Sequence, residues 1–372
     1  MTFTRNTLFR QAGYNSTVMR LLYSAIWCLA ALLLISCAAS TSSKPEDPIE
    51  LFLYDWEDDI PQSVLDQFTQ ETGLAVNYVV YESTEEAVAS LRAGDSYDVV
   101  VVENRFIPAL IEEERLARLD RSLLPNFKNI SPGFRGLMYD PDNAYSVPYS
   151  WGTTGMLVRP DLLTTPVKKW ADLWALGDGS KVAFYRGQPR ETISLTLKSL
   201  GFSANSEDPE ALNAVRDRLL ALRPFVEFSE EYDPVTIARV LAEGIAVAAM
   251  GFPFDVEEGR ALGAELAYVL PEEGGLLWGD NFVVPATSAH PAEAHQLVDF
   301  LLRPEISATI MNEKLFATAN EAALSFVAPE LAQDPAIFPL DEQMQDLEIV
   351  LPLSRSGEER YAEIWAEFVG VE

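Results

Sequence analysis

Two groupings of tryptophan with acid carry the most chemistry in this sequence. One is Asp55-Trp56-Glu57-Asp58-Asp59; the other is Trp278, two residues ahead of Asp280. An indole face attracts a cation, and a carboxylate adds a charge-assisted hydrogen bond. A buried ammonium lacking such partners carries a large desolvation cost. The combination therefore suits an organic ammonium ion. On a strand, residues two apart share a face, so the Trp278 ring can cover methylenes while Asp280 takes the nitrogen. The plainer reading is that each tryptophan fills a core and each acid lies on the surface. Two such groupings in one acidic chain favour the binding reading.

Other chemistry finds little support. The only cysteines are Cys28 and Cys37, so the body of the chain holds no disulfide framework, zinc finger or catalytic thiol. His290 and His295 are five apart, which is not a ligand pair's helical spacing, and they read as exposed residues at a helix start. No metal or cofactor is expected. There is no HExxH, GxSxG or Walker A motif. Gly177-Asp178-Gly179-Ser180 reads as a turn, and so does Asp140-Pro141-Asp142-Asn143, which lacks the glycine and distal glutamate of a calcium loop. The 57 acidic residues supply many carboxylate pairs, so a secreted carboxylate-based hydrolase stays open as an alternative.

The charge is −30 over 372 residues. A field of that sign repels phosphate backbones and anionic membrane surfaces and attracts cations; acidity also simply maintains solubility. Residues 21–35, LLYSAIWCLAALLLI, form a short apolar run after Arg5, Arg10 and Arg20, as in a secretory signal. Leu34-Ile35-Ser36-Cys37 resembles the bacterial lipobox, so Cys37 is the expected lipidation site. Residues 1–36 are then the signal peptide and 37–48 a polar tether. Met19 is an alternative start. Removal of 1–36 takes three arginines and no acid, leaving a net −33.

The elements that must position the acids follow from periodicity. IELFLYDW reads as a strand. Pro61 opens a helix with Ile60, Val64, Leu65 and Phe68 on one face and Gly73 as its cap. LAVNYVV (74–80) alternates as a strand, and Ser83 with Glu86 makes a capping-box signature. YDVVVV (97–102) suits a strand buried on both faces. The order βαβαβ predicts a mostly parallel sheet whose ligands gather at the carboxyl ends of its strands. The acids after Asp55 and the segment Glu103-Asn104-Arg105-Phe106 fall at that edge. Strands near 182–185, 225–228, 245–250, 266–270 and 275–287 and helices at 190–200, from Pro209, at 291–303 and at 304–313 make a second unit and a return.

With these segments laid out, the sequence resembles the spermidine/putrescine-binding receptors of bacterial ABC importers. The resemblance runs from about residue 50 to 325 through LFLYDWEDDIPQSVLDQFTQETGLAVNY, YDVVVVENRF, YDPDNAYSVPYSWGTTG, KKWADLW, PEEGGLLWGDNFVVPA and VDFLLRPE. It implies an α/β fold of two lobes, each a mostly parallel sheet flanked by helices, with the ligand cleft between them. The implied lobe limits are 49–153 and 276–325 for the first lobe, and 154–275 and 326–372 for the second. The family's ligand tryptophan and following acid fall on Trp56 and Asp58, its helix-opening acid on Glu191, and its second tryptophan and aspartate on Trp278 and Asp280. Phe252 replaces a tryptophan and Phe316 a tyrosine. Glu103 and Arg105 stand where the family has serine and tyrosine, Asp59 where it has tyrosine, and Gln188 where it has aspartate. Arg105 would repel a cation unless Glu103 or Asp59 neutralises it.

The expected function is therefore capture of a small cation, polyamine-like, by an exported, lipid-anchored monomer that delivers it to an ABC permease, with no chemical step. The alternative within binding proteins is an amine or amino-acid-like ligand whose carboxylate would give Arg105 a partner.

Overall fold

A computed structural model describes residues 49–176, 179–229 and 234–370. The signal peptide, Cys37 and the tether lie outside the described residues, as do Gly177 and Asp178 of the expected turn. Among the described residues, no helix is long and apolar enough to cross a membrane.

The first lobe begins β1 (Glu50–Trp56), α1 (Gln62–Thr72), β2 (Ala75–Tyr81), α2 (Thr84–Ala93), β3 (Val99–Glu103) and α3 (Ile107–Glu112). Both β2 and β3 run parallel to β1, giving the order β2-β1-β3. Val64, Leu65 and Phe68 are the buried face of α1, and Gly73 ends it in the left-handed conformation (φ 77°), its N–H on the Thr69 carbonyl at 2.9 Å. Ser83 caps α2 by accepting the Glu86 N–H at 3.2 Å, while the Glu86 carboxylate reaches back to the Glu82 N–H at 2.9 Å. The box is thus closed one residue earlier than its usual form.

The long β4 (Ser146–Val158) is buried throughout. Its first part pairs with β9 and its last part with β7 and β8. The second lobe holds β5 (Val182–Tyr185), α4 (Pro189–Ser199), α5 (Pro209–Leu222), β6 (Val226–Ser229), α6 (Pro234–Ala242), β7 (Ala248–Gly251), α7 (Asp255–Ala261) and β8 (Ala267–Val269). β5 pairs in parallel with β6 and β7. The chain then returns through β9 (Leu276–Val283), antiparallel between β3 and β4, and through α8 (Pro291–Leu301), α9 (Pro304–Lys314) and β10 (Ala317–Thr318). β11 (Glu348–Ile349) pairs with the start of β9, and α10 (Arg355–Val369) buries Tyr361, Ile364 and Phe368 in the second lobe's core. The two lobes have separate cores, one around Tyr54, Val100, Val102 and Leu110, the other around Met156, Phe184, Leu195 and Phe368.

One expectation is corrected. His295 is not exposed but buried. Its Nε2 accepts the Asp120 N–H at 2.9 Å and its Nδ1 meets the Pro291 carbonyl at 2.5 Å. The helical period places it beside Ala294, Val298 and Leu301 on the inward face of α8. The Asp140 turn stands as expected: Asp140 accepts the N–H groups of Ala144, Tyr145 and Ser146.

Candidate ligand-binding site

The carboxyl ends of β1 and β3 place Asp55, Trp56 and Glu103 at one edge of the first lobe. Antiparallel pairing sets Asp280 of β9 opposite Glu103, and on the other side opposite Ser150 of β4. Residues paired across an antiparallel ladder point to the same face. Glu103, Asp280 and Ser150 therefore form one row, with Trp278 two residues along the same face of β9.

The first grouping divides. Asp58 adopts φ 58° and turns outward, where its Oδ2 pairs with Lys314 Nζ at 2.6 Å. That turn sends Asp59 inward, and its Oδ2 is buried without a hydrogen-bond partner. Asp55, which the sequence reading did not single out, is fully buried. Its Oδ1 accepts the Trp56 N–H at 2.8 Å and its Oδ2 has no partner. Trp56 packs edge-on against Tyr81, ring centroids 4.8 Å apart, and its carbonyl accepts the Tyr78 hydroxyl at 2.5 Å.

Burial governs the electrostatics of these acids. It raises the Asp55 carboxyl well above the ordinary carboxylate range, with the charges of Asp59 and Asp280 adding to it. Burial likewise raises Asp280, helped by Glu103 and Asp59 and opposed by Ser150. Asp59 is pushed up to about 7 by burial, with Tyr149 and Lys314 pulling the other way. Asp280 Oδ1 is a third buried carboxylate oxygen without a partner.

Arg105 lies beside this corner and is held by two acids. Its Nε donates to Glu103 at 2.7 Å, one terminal nitrogen donates to Glu85 at 2.9 Å, and its guanidinium covers the Phe106 ring at 4.2 Å. Burial works against the guanidinium charge, but Glu103, Glu191 and Glu85 outweigh it and hold its pKa above the ordinary value. Glu191, in the first turn of α4, thus faces Arg105 from the second lobe. Burial lifts Glu191 to about 7, against the pull of Arg105.

The second lobe adds an aromatic wall. Phe252 stands edge-on to Trp278 at 6.2 Å and stacks on Phe254 at 5.2 Å. Trp278, Phe254 and Phe316 line a cavity of about 10 Å³ with Gly152. Gly152 is required: a Cβ there would lie 2.3 Å from the Trp278 ring. Phe316 also reaches Tyr149, centroids 5.8 Å apart. Behind the wall lies Asp255, likewise absent from the sequence reading. It is fully buried, its Oδ2 accepts the Phe252 N–H at 2.7 Å, and its Oδ1 is partnerless. Burial lifts it to about 8. Gln188, just ahead of α4, also buries a partnerless Oε1.

The structure thus brings Asp59, Glu103 and Asp280 together with Asp55. It gathers Glu103, Arg105 and Glu191 around one charge, and Phe252, Trp278 and Phe316 into one wall. Such a surface offers carboxylate acceptors and aromatic faces, and among the described residues no group of acids and histidines is arranged to hold a metal ion.

Two lobes of this topology with an acid-lined, aromatic surface between them define a solute-binding protein of the periplasmic-binding-protein fold. The chain belongs to the bacterial extracellular solute-binding protein family, whose profile matches residues 63–339. It is 32% identical over 302 residues to the spermidine/putrescine-binding periplasmic protein of Salmonella typhimurium, covering 80% of this chain and 86% of that one. It is 30% identical over 363 residues to the putrescine/agmatine-binding protein of Pseudomonas aeruginosa, covering 91% and 97%. Among solved structures, the spermidine/putrescine transporter substrate-binding protein of Streptococcus pneumoniae superposes with a TM-score of 0.76 at 29% identity, covering 87% of this chain and 99% of that one.

Proposed function

We propose that this protein captures a small organic polycation, putrescine or spermidine, between its two lobes and delivers it to an ABC permease without altering it. The observation that carries the reading is the charge arrangement. Three buried carboxylate oxygens on Asp55, Asp59 and Asp280 lack partners, while Nε and one terminal nitrogen of Arg105 are taken by Glu103 and Glu85. The site therefore asks for positive charge, and the Arg105 guanidinium beside it already shares its charge with two acids. That disfavours the amino-acid-like ligand. The names of the relatives support the same class of ligand.

In this reading one ammonium docks against Asp55, Asp59 and Asp280. The methylenes lie against Trp278, Phe252 and Phe316, and Glu191 takes a second nitrogen from the other lobe. Trp56 borders the first end. The lobe limits expected from sequence, 49–153 with 276–325 and 154–275 with 326–372, then place β4 and β9 at the crossings. Closure is a hinge motion driven by contacts made only when both lobes touch the ligand. The exported chain acts as a monomer, tethered at the membrane by lipid on Cys37.

A thermal-shift screen with diamines, polyamines and amino acids tests this. A ligand bound only by the folded state raises the midpoint with the logarithm of its concentration. Putrescine or spermidine should do so and free amino acids should not. A response to amino acids alone would overturn the reading, as would turnover of a glycan with release of product.

A further inference from the structure

The inward corner of the site has more acid than its surroundings can balance. Asp55 Oδ2, Asp59 Oδ2 and Asp280 Oδ1 are buried and partnerless. The two nearby cations are committed elsewhere, Lys314 to the outward Asp58 and Arg105 to Glu103 and Glu85. The groups facing Asp55 are Asp59, Asp280 from β9, and Tyr78 from β2. Those facing Asp59 are Tyr149 from β4, Lys314 from α9 and Asp58. Glu103 from β3 and Ser150 from β4 face Asp280. Apart from Lys314, all are acidic or neutral. Several carboxylates held together away from water cannot all stay ionised without counter-charge.

We propose that Asp55 and Asp59 form a carboxyl–carboxylate pair that holds a proton in the ligand-free protein and exchanges it for the ligand's terminal ammonium. The inference rests on the amine reading of the site. The exchange balances in charge. The pair with one proton is −1; the arriving R–NH₃⁺ finds both carboxylates ionised, and one H⁺ leaves to solvent. No other bond is made or broken. The raised carboxyls of Asp55 and Asp59 agree with this arrangement. Its consequence is that amine capture strengthens as pH rises through the neutral range, up to tenfold per pH unit for one proton released.

The test is calorimetry on the full chain with putrescine and with spermidine, at pH 7, in buffers of widely different ionisation heat. The wild type should release close to one proton per amine bound, and Asp55→Asn and Asp59→Asn should each bring the release towards zero. A binding heat independent of buffer would overturn the proposal, as would a release unchanged by both substitutions. If neither amine binds, the polycation reading fails, and ligand-free unfolding decides the pair separately. A carboxyl whose folded pKa is raised stabilises the fold at low pH and loses that contribution as pH climbs through the folded value. Between pH 5 and 9 the wild-type midpoint should therefore fall more steeply than that of Asp59→Asn. Parallel profiles would sink the proton-holding pair whatever the ligand.

Discussion

Two corners of the site use acids in opposite ways. At one, Glu85 and Glu103 grip Arg105 at 2.9 and 2.7 Å, and Glu191 faces the same charge from the other lobe. At the other, Asp55, Asp59 and Asp280 converge with no protein cation among their hydrogen-bond partners and each leaves a buried oxygen unmet. The first corner is balanced in the sense that Glu85 and Glu103 have a counter-charge from the protein, although Glu191 there stays raised to about 7. The second is unbalanced, which a stable fold tolerates only where something else brings the charge. The contrast separates acids that have a protein counter-charge from acids that lack one within one strand register, for Glu103 and Asp280 are direct neighbours across β3 and β9.

The largest expected effect breaks the balanced corner. The Arg105 side chain is only 11% exposed, so Arg105→Ala strands Glu103 and Glu191 without their counter-charge. Removing one partner of a buried pair costs about 3–5 kcal/mol, and urea unfolding at neutral pH should register a loss near the lower bound, since Glu85 is exposed. Amine affinity should hold or rise, because a cation leaves the site. Unchanged stability would mean that the two corners do not differ as argued.

Next in size is Asp280→Asn, aimed at the unbalanced corner. The amide keeps the shape and removes the charge. Losing a charge-assisted bond to a desolvated amine should cost about 1.5–3 kcal/mol, roughly ten- to a hundredfold in affinity. Calorimetry with spermidine or putrescine checks it, with circular dichroism to establish that the fold is kept. Intact affinity would reassign Asp280 to the structural set.

How much of this was legible depends on whether position or orientation was needed. The strand and helix periods located β1, α1, β3, β9 and their neighbours to within a few residues, and the spacing of two joined Trp278 to Asp280 on β9. The choice between Asp58 and Asp59 was not legible, because it turns on the left-handed backbone at Asp58. Asp55 was obscured by position: next to last in an apolar strand, it looks like the first acid of the following loop. Asp255 opens α7, and an acid in a helix's first turn ordinarily complements the helix dipole, so its type and position are unremarkable and only its full burial sets it apart. His295 was recoverable, since the helical period alone sets it with Ala294 and Val298. The pairing of Arg105 with Glu103 was anticipated as a condition; Glu85 lies 20 residues away in sequence and only the fold brings it there.

Asp255 gives the third prediction, which sharpens the contrast by pH. Its folded carboxyl is raised to about 8, so it contributes stability at low pH and loses it as pH rises through that value. Between pH 7 and 9 this one group should remove about 1.4 kcal/mol from the wild type. Asp255→Asn keeps an acceptor for the Phe252 N–H and carries no charge, so its unfolding free energy should fall less over the same interval by about that amount. Urea unfolding at the two pH values measures the difference. Equal slopes would mean that Asp255 is already ionised at neutral pH and belongs with the balanced acids.

The smallest effect concerns the aromatic wall, and it decides whether the acids or the rings dominate. Trp278→Leu removes an indole face worth about 0.5–1 kcal/mol to a partly exposed cation, or two- to fivefold in affinity. The apolar cover survives in part, because Phe252 stands against that position and Phe254 and Phe316 line the same cavity. Some of any loss is packing, since the ring fills the space above Gly152 and leucine would leave it partly open. Trp278→Phe separates the two contributions: it retains a π-face while giving up similar volume. If phenylalanine restores most of the affinity that leucine loses, the face matters; if both lose equally, the volume does. Calorimetry is the suitable readout, as the substitution removes a fluorophore. A loss at Trp278 equal to that of Asp280→Asn would place the binding energy in the wall rather than in the unbalanced corner, and would reverse the order argued for the two sides of the site.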